Sequence, residues 1–174
     1  IPLPIDLYAP DRRNSQGLNL NDEHTLRELA TQVSMAGTLS WQAAPIISGI
    51  ELTHGRSTPL FDPTHNERQA GVLYSADTAA IEAALEAAHD YHDEWAATPA
   101  GQRAHLLEEV ADALETRRSE FLWLLVREAG KTLPDSLAEV REAADFCRYY
   151  AALARRHFSE STTLPGPTGE LNQL

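Results

Sequence analysis

The chain has 174 residues, 26 acidic and 14 basic side chains, and a formal net charge of −12 at pH 7. Nucleic-acid binding rests on Lys and Arg contacts to phosphates, and no basic stripe offsets this acidity, so a nucleic-acid partner is excluded for this segment. Apolar residues make up 43% of the chain, but 26 of them are alanine, leaving about 28% as larger side chains, a thin supply for a core.

A single cysteine, Cys147, rules out an internal disulfide or a Cys-based zinc site and fits a reducing compartment. No run reaches about 18 apolar residues, and Ile1 to Pro10 lacks a basic segment followed by an apolar one, so a cytoplasmic chain is expected.

Residues 1–20 carry Arg12-Arg13 and the turn-prone Asn14-Ser15-Gln16-Gly17 without sustained periodicity, and read as a connector. From Asn21 the pattern turns helical. Asn21 or Asp22 caps a run in which Leu26, Leu29, Ala30 and Val33 recur at steps of three and four until Gly37. Together with the β-prone Ile46, Ile47, Ile50 and Leu52, residues 21–57 read as a linker helix and an extended arm. Thr58 to Phe61 and Ala70 to Tyr74 flank Asp62-Pro63-Thr64-His65-Asn66, the pattern of an antiparallel hairpin, which opens a region of hairpin and helices over 58–174.

Asp77 caps the next helix, with Ile81, Ala84, Leu85, Ala88, His92 and Trp95 on one face up to Thr98-Pro99. Thr98 then caps a further helix, with Pro99 at its first position. Leu107, Val110, Ala111, Leu114, Phe121, Leu122 and Leu125 continue a buried stripe, broken near Thr116 to Ser119, and Gly130 ends it. Thr132-Leu133-Pro134-Asp135 reads as a capping box for the last helix.

On that helix Leu137, Val140, Ala144, Cys147, Ala151, Ala154 and Phe158 make a core seam. Glu139, Glu142, Phe146, Tyr149 and Leu153 form a second stripe, and Arg141, Asp145, Arg148 and Arg155 a third, polar side. Two partly apolar faces imply a helix between layers. After the linker or turn of Leu164 to Glu170, Leu171 to Leu174 opens what reads as a new strand, so the sequence is expected to be a piece of a larger architecture.

Most chemical motifs dissolve on inspection. Gly130-Lys131-Thr132 lacks the glycine a phosphate loop needs at position 125, which is Leu. His89 and His92 share a turn with Asp90, Asp93 and Glu94, but no third ligand is placed by sequence, and a solvated helix end is the expectation. Cys147 sits in the seam with no activating base, where a thiol behaves as a small hydrophobe. Gly166 and Gly169 follow no strand and precede no helix, so they make no dinucleotide fingerprint. No catalytic, cofactor-binding or metal-ligating residue is assigned. Glu142 and Glu139 admit two readings: surface carboxylates, or a cleft-facing pair that attracts a cation beside Phe146 and Tyr149.

The strings Arg127-Glu128-Ala129-Gly130-Lys131-Thr132, Ala138-Glu139-Val140-Arg141-Glu142-Ala143-Ala144-Asp145-Phe146 and Arg148-Tyr149-Tyr150-Ala151 resemble the N-terminal helices of the aldehyde dehydrogenase superfamily. The resemblance extends over essentially the whole chain. It is closest to the glutamate-semialdehyde dehydrogenase part of the proline utilization A family of bifunctional enzymes, whose connector resembles Arg12 to Leu18 and whose approach to the first nucleotide-binding strand resembles Leu164 to Glu170.

It implies an α/β parent with a Rossmann-type NAD domain, of which this segment is the mainly α-helical opening with an extended arm and a β-hairpin. It implies proline oxidation on FAD, then oxidation of L-glutamate γ-semialdehyde to glutamate with NAD, in a homo-oligomeric parent that is cytoplasmic or membrane-associated. The family's nucleophile and nucleotide-binding residues match nothing here, and Cys147 does not match the nucleophile, so the segment alone is expected to be inactive. One role carries over: Glu142, with Glu139 as the alternative one turn away, meets the substrate's α-ammonium group, and Phe146 and Tyr149 wall the tunnel. The rival from another class is a stand-alone helical interaction module without catalysis.

Overall fold

A computed structural model describes residues 2–161, 163–170 and 172–173. After a single 3-10 turn at Pro4–Asp6 the elements run α1 (Glu23–Ala36), β1 (Gln42–Ala43), β2 (Ile46–Ile47), β3 (Ile50–Glu51), β4 (Ser57–Asp62) and β5 (His65–Tyr74). Then follow α2 (Thr78–Asp90), α3 (His92–Ala97), α4 (Ala100–Thr116), α5 (Arg118–Arg127), α6 (Leu133–Phe158), β6 (Thr163–Leu164) and β7 (Asn172–Gln173). The chain forms two compact units. One comprises Ile1–Leu18, Thr98–Arg118 and Leu137–Leu174, the other Asn19–Ala97 and Ser119–Ser136.

In the second of these, Asp22 caps α1 by accepting from the Thr25 N–H at 2.8 Å. Gly37 ends it, with its N–H on the carbonyls of Val33 and Ser34. Glycine is required there by packing, because a Cβ would lie 2.6 Å from Trp123 Nε1. Trp123 stacks on Trp41 at 5.8 Å, and the Trp41 indole donates to the Ala36 carbonyl at 3.1 Å. This aromatic pair closes the end of α1 where helix carbonyls lack intrahelical donors.

The expected hairpin is β4–β5, antiparallel with irregular register around Phe61. Its turn is tighter than the sequence suggested: Pro63 and Thr64 alone connect the strands, and the Asp62 carboxylate accepts from the Thr64 N–H at 2.8 Å and hydroxyl at 2.6 Å. The arm is not simply extended. Ile46–Ile47 and Ile50–Glu51 pair as a small hairpin across Ser48 and Gly49, both at positive φ, and β1 joins β5 in parallel.

The face expected for α2 is also corrected. The helix breaks at Tyr91, so His92 and Trp95 belong to α3, and Ile81 and Leu85 are exposed at 53% and 67%. The covered side carries Ala80, Ala84 and Ala87, and α2 lies against β2. An alanine-rich helix approaches closely on its smallest face, and apolarity alone does not choose between such faces. Gly130, at φ +69°, ends the run after α5, and Leu122 is fully buried.

In the other unit α4 and α6 run antiparallel. Arg155 pairs with Glu108 at 2.7 Å, and Arg148 with Asp112 at 2.7 Å and with Glu115, so positions rise along one helix as they fall along the other. Pro99 is the N-cap of α4 rather than its first residue, and its carbonyl takes the N–H groups of Gln102 and Arg103. The seam of α6 buries Leu137, Val140, Ala144 and Ala151, while Cys147 is half-buried and Phe158 exposed. Arg148 is not on a solvated polar side; it is 5% exposed, because the acidic row of α4 receives it. At the start of α6 the box is half made: the Asp135 N–H donates to the Thr132 hydroxyl, which itself donates to the Asp135 carboxylate. Thr163–Leu164 and Asn172–Gln173 pair as a short hairpin; of the expected terminal strand, Leu171 and Leu174 lie outside the described residues.

Candidate functional site

Residues 2–18 are a strap rather than a loose linker. Ser15, 2% exposed, donates its N–H and hydroxyl to the two oxygens of Asp145 at 2.6 and 2.7 Å. The Gln16 N–H donates to Glu115 at 2.8 Å, and Arg13 donates to Asp112 and Glu115 at 2.9 and 3.1 Å. Burial alone would raise the Glu115 carboxyl, yet the guanidinium of Arg148, the Gln16 N–H and Arg13 hold it below its ordinary value. Arg148 is correspondingly raised: the pull of burial is outweighed by its hydrogen bonds to Glu115 and Asp112.

The strap and α6 flank an open groove of about 570 Å³. One wall is α6, with Glu142, Phe146 and Tyr149 at the i, i+4, i+7 spacing that aligns side chains along a helix. The other wall is the strap, with Tyr8, Arg12 and Asn14. The groove therefore brings together three of the four residues the sequence singled out. Glu139 does not line it; half-buried, it makes an interaction of its own. Glu142 is exposed and, among the described residues, has no hydrogen-bond or ion-pair partner. Phe146 and Tyr149, 50% and 43% exposed, make ring contacts to Tyr150 at 6.1 and 5.2 Å, and the Arg12 guanidinium lies 5.9 Å from the Tyr149 ring. Leu153 lines an adjoining cavity of about 310 Å³ with Tyr8, Arg12 and Tyr149.

Sequence reading missed the strap's contribution. Of the adjacent arginines, Arg13 goes to the α4 carboxylates, whereas Arg12 lies 3.9 Å over the Tyr8 ring, 5.9 Å from the Tyr149 ring and 3.8 Å from Asp145. Tyr8 four residues before Arg12 was the only available signal, and four-residue spacing means little outside a helix.

Elsewhere, no three His, Cys, Asp or Glu side chains come together among the described residues in a way that holds a metal. His89 lies in the last turn of α2 and His92 beyond the break. No helix is long and apolar enough to cross a membrane, among the same residues.

Comparison with known proteins gives the site a context. The sequence pattern of the aldehyde dehydrogenase family matches residues 51–173. The bifunctional protein PutA of Escherichia coli (strain K12) is 39% identical over 168 residues, which cover 96% of this chain and 13% of that protein. Among solved structures, proline utilization A from Bdellovibrio bacteriovorus, inactivated by N-propargylglycine, superposes with a TM-score of 0.82 at 26% identity, covering 94% of this chain and 17% of its own. A 1-pyrroline-5-carboxylate dehydrogenase from Thermus with bound NAD gives 0.79 at 27% identity, covering 89% and 30%. The chain thus spans less than a third of each of these relatives.

Proposed function

The chain belongs to the aldehyde dehydrogenase family, and on that premise we propose that it is the opening part of the NAD-dependent dehydrogenase half of a bifunctional proline-catabolic enzyme. In that enzyme a flavin-dependent site oxidises proline, and the aldehyde that follows, L-glutamate γ-semialdehyde, is oxidised to glutamate with NAD. The similarity to a bifunctional PutA protein over 96% of the chain and to an NAD-bound 1-pyrroline-5-carboxylate dehydrogenase supports this reading. A cytoplasmic setting, in keeping with the single free cysteine, belongs to the same proposal.

The glycines of this segment are not arranged as a nucleotide-binding turn. Gly166 and Gly169 lie in the β6–β7 connection rather than between a strand and a helix, and Gly130 closes a helix end. NAD supplies hydride-accepting chemistry when bound, on residues outside this segment.

What this segment supplies is recognition. Glu142 presents an unpaired carboxylate to a groove walled by Phe146 and Tyr149, and that single arrangement carries the reading. Its charge meets the α-ammonium of an amino-acid aldehyde while the rings cover the aliphatic body. A plain aldehyde leaves the carboxylate without a partner and gains nothing from it, which is how a difference in affinity arises.

The test is Glu142→Gln in the longer polypeptide. A hydrogen bond to a charged group contributes about 1.5–3 kcal/mol, so KM for glutamate semialdehyde should rise at least about tenfold relative to that for butanal. Equal changes for the two aldehydes reject the ammonium role.

A further inference from the structure

We propose that the strap is an electrostatic latch: residues 2–18 detach from α4 and α6 as one piece, in an opening that leaves the helix pair folded. The inference does not depend on what Glu142 binds. Of residues 2–18 only Ser15 is buried; Leu3, Leu7 and Tyr8 are exposed, and Ile5 and Leu18 are half-buried. Detachment therefore returns little apolar surface to water, and the term that resists unfolding elsewhere is small here. What resists it is charge. Asp145 takes the Ser15 N–H and hydroxyl, Glu115 takes the Gln16 N–H, and Asp112 and Glu115 take Arg13. Arginines of the helical side reach back: Arg118 donates to the Gln16 carbonyl at 3.3 Å, and Arg156 lies 3.6 Å from Asp11.

The strap is also tied to itself. The Asn14 N–H donates to the Ile5 carbonyl at 3.0 Å and its side-chain amide to the Pro4 carbonyl at 3.2 Å, so the segment has internal bonds with which to move as a body. The two helices hold each other without it. Arg155 bonds Glu108, and Arg148 bonds the same Asp112 and Glu115 that Arg13 reaches, so both α4 carboxylates keep a cation when the strap leaves. An opening of this kind belongs to the low end of the range of local unfolding free energies. When it occurs, Tyr8, Arg12 and Asn14 depart, and the face of Glu142, Phe146 and Tyr149 is left as a groove with one wall. Salt is the lever. The screening length falls from about 10 Å at 0.1 M to about 3 Å at 1 M, which loosens the latch. In a chain of net charge −12 the same screening relieves self-repulsion and favours the folded helices, so one variable drives strap and helix pair in opposite directions.

The test is amide hydrogen exchange of the 174-residue chain, read residue by residue by nuclear magnetic resonance as sodium chloride is raised from about 0.1 to about 1 M. Protection of the Ser15 and Gln16 amides should fall several-fold and together, while that of Ala144 and Ala151 within α6 holds or rises. Asp145→Ala removes the acceptor of Ser15 alone, yet it should strip protection from Gln16 to a similar extent, because one opening exposes both. Strap and α6 amides losing protection in parallel, strap protection indifferent to salt, or Gln16 still protected in Asp145→Ala each overturns the proposal. Should Asp145→Ala fail to fold, Arg13→Gln decides: it leaves Arg148 on Asp112 and Glu115 and should release Ser15, which Arg13 does not touch, and undiminished Ser15 protection rejects the latch.

Discussion

The two units of the chain are held together by different physics. In the unit of α1, the hairpins and α5, cohesion centres on Trp41 stacked with Trp123 and on buried Leu122. In the unit of the strap, α4 and α6, the fully buried apolar side chains are the alanines Ala104, Ala111, Ala144 and Ala151, and charged pairs join the helices. Alanine buries one side-chain carbon where leucine buries four, so close packing there is accompanied by hydrogen bonds to ions. The difference teaches why the candidate groove sits where it does: a framework built from charges carries carboxylates and guanidiniums to the surface between its elements.

Arg148→Met tests this most severely. It removes the main cation from Glu115, 14% exposed, and breaking a buried pair on one side costs about 3 kcal/mol. Urea unfolding should show that loss, and a loss below about 1 kcal/mol would mean that the charged pairs contribute little to this unit. Next comes Gly37→Ala in the aromatic unit, where the added methyl meets the Trp123 indole at 2.6 Å; overpacking of this kind costs about 1–3 kcal/mol. Loss of near-ultraviolet tryptophan ellipticity should accompany it, and an unchanged signal would show that the stack gives way freely.

Ser15→Ala is milder, about 1.5 kcal/mol, the low end for a hydrogen bond to a charged acceptor, because the N–H bond to the same carboxylate remains. Its sharper readout is proteolysis: cleavage within residues 2–18 should accelerate, and an unaltered rate would show that the strap is held without it. The smallest effect concerns Asp62. Its carboxyl is held down to about 2, first by the Thr64 hydroxyl, then by the Thr64 N–H, with Arg127 adding to them. A depressed folded-state pKa stabilises above the unfolded value and is lost as pH falls from about 4 towards 2. The gap in unfolding midpoint between the parent chain and Asp62→Asn should therefore narrow over that range, and a constant gap would contradict it.

What was legible in the sequence follows from the range of the interactions. The cap at Asp22, the stop at Gly130 and the seam Leu137-Val140-Ala144-Ala151 are written within a few neighbours of each residue, and the structure shows them. The parallel pairing of β1 with β5 spans thirty residues for two-residue register and leaves no periodic trace. The burial of Arg148 depends on Asp112 and Glu115, 36 and 33 positions away, and a polar residue carries no mark that an acidic row awaits it. At the candidate site the helical wall was legible because Glu142, Phe146 and Tyr149 share a periodic face. The strap wall was not, since Tyr8 and Arg12 sit outside any long periodic element, in chain positioned through distant partners of Arg13, Ser15 and Gln16.

The double grip of Ser15 on Asp145 makes the strap a ruler. Asp145 lies three residues from Glu142 on the same rigid helix, and Arg12 lies three residues from Ser15 in the chain, so the distance between the groove's opposite charges is counted out in covalent bonds from a common pin. Spacing between Arg12 and Ser15 is then a matter of whole residues: one inserted or deleted there shifts Arg12 by a full chain step and takes the guanidinium out of register with Glu142. Length changes before Tyr8 or after Phe158 leave that count untouched.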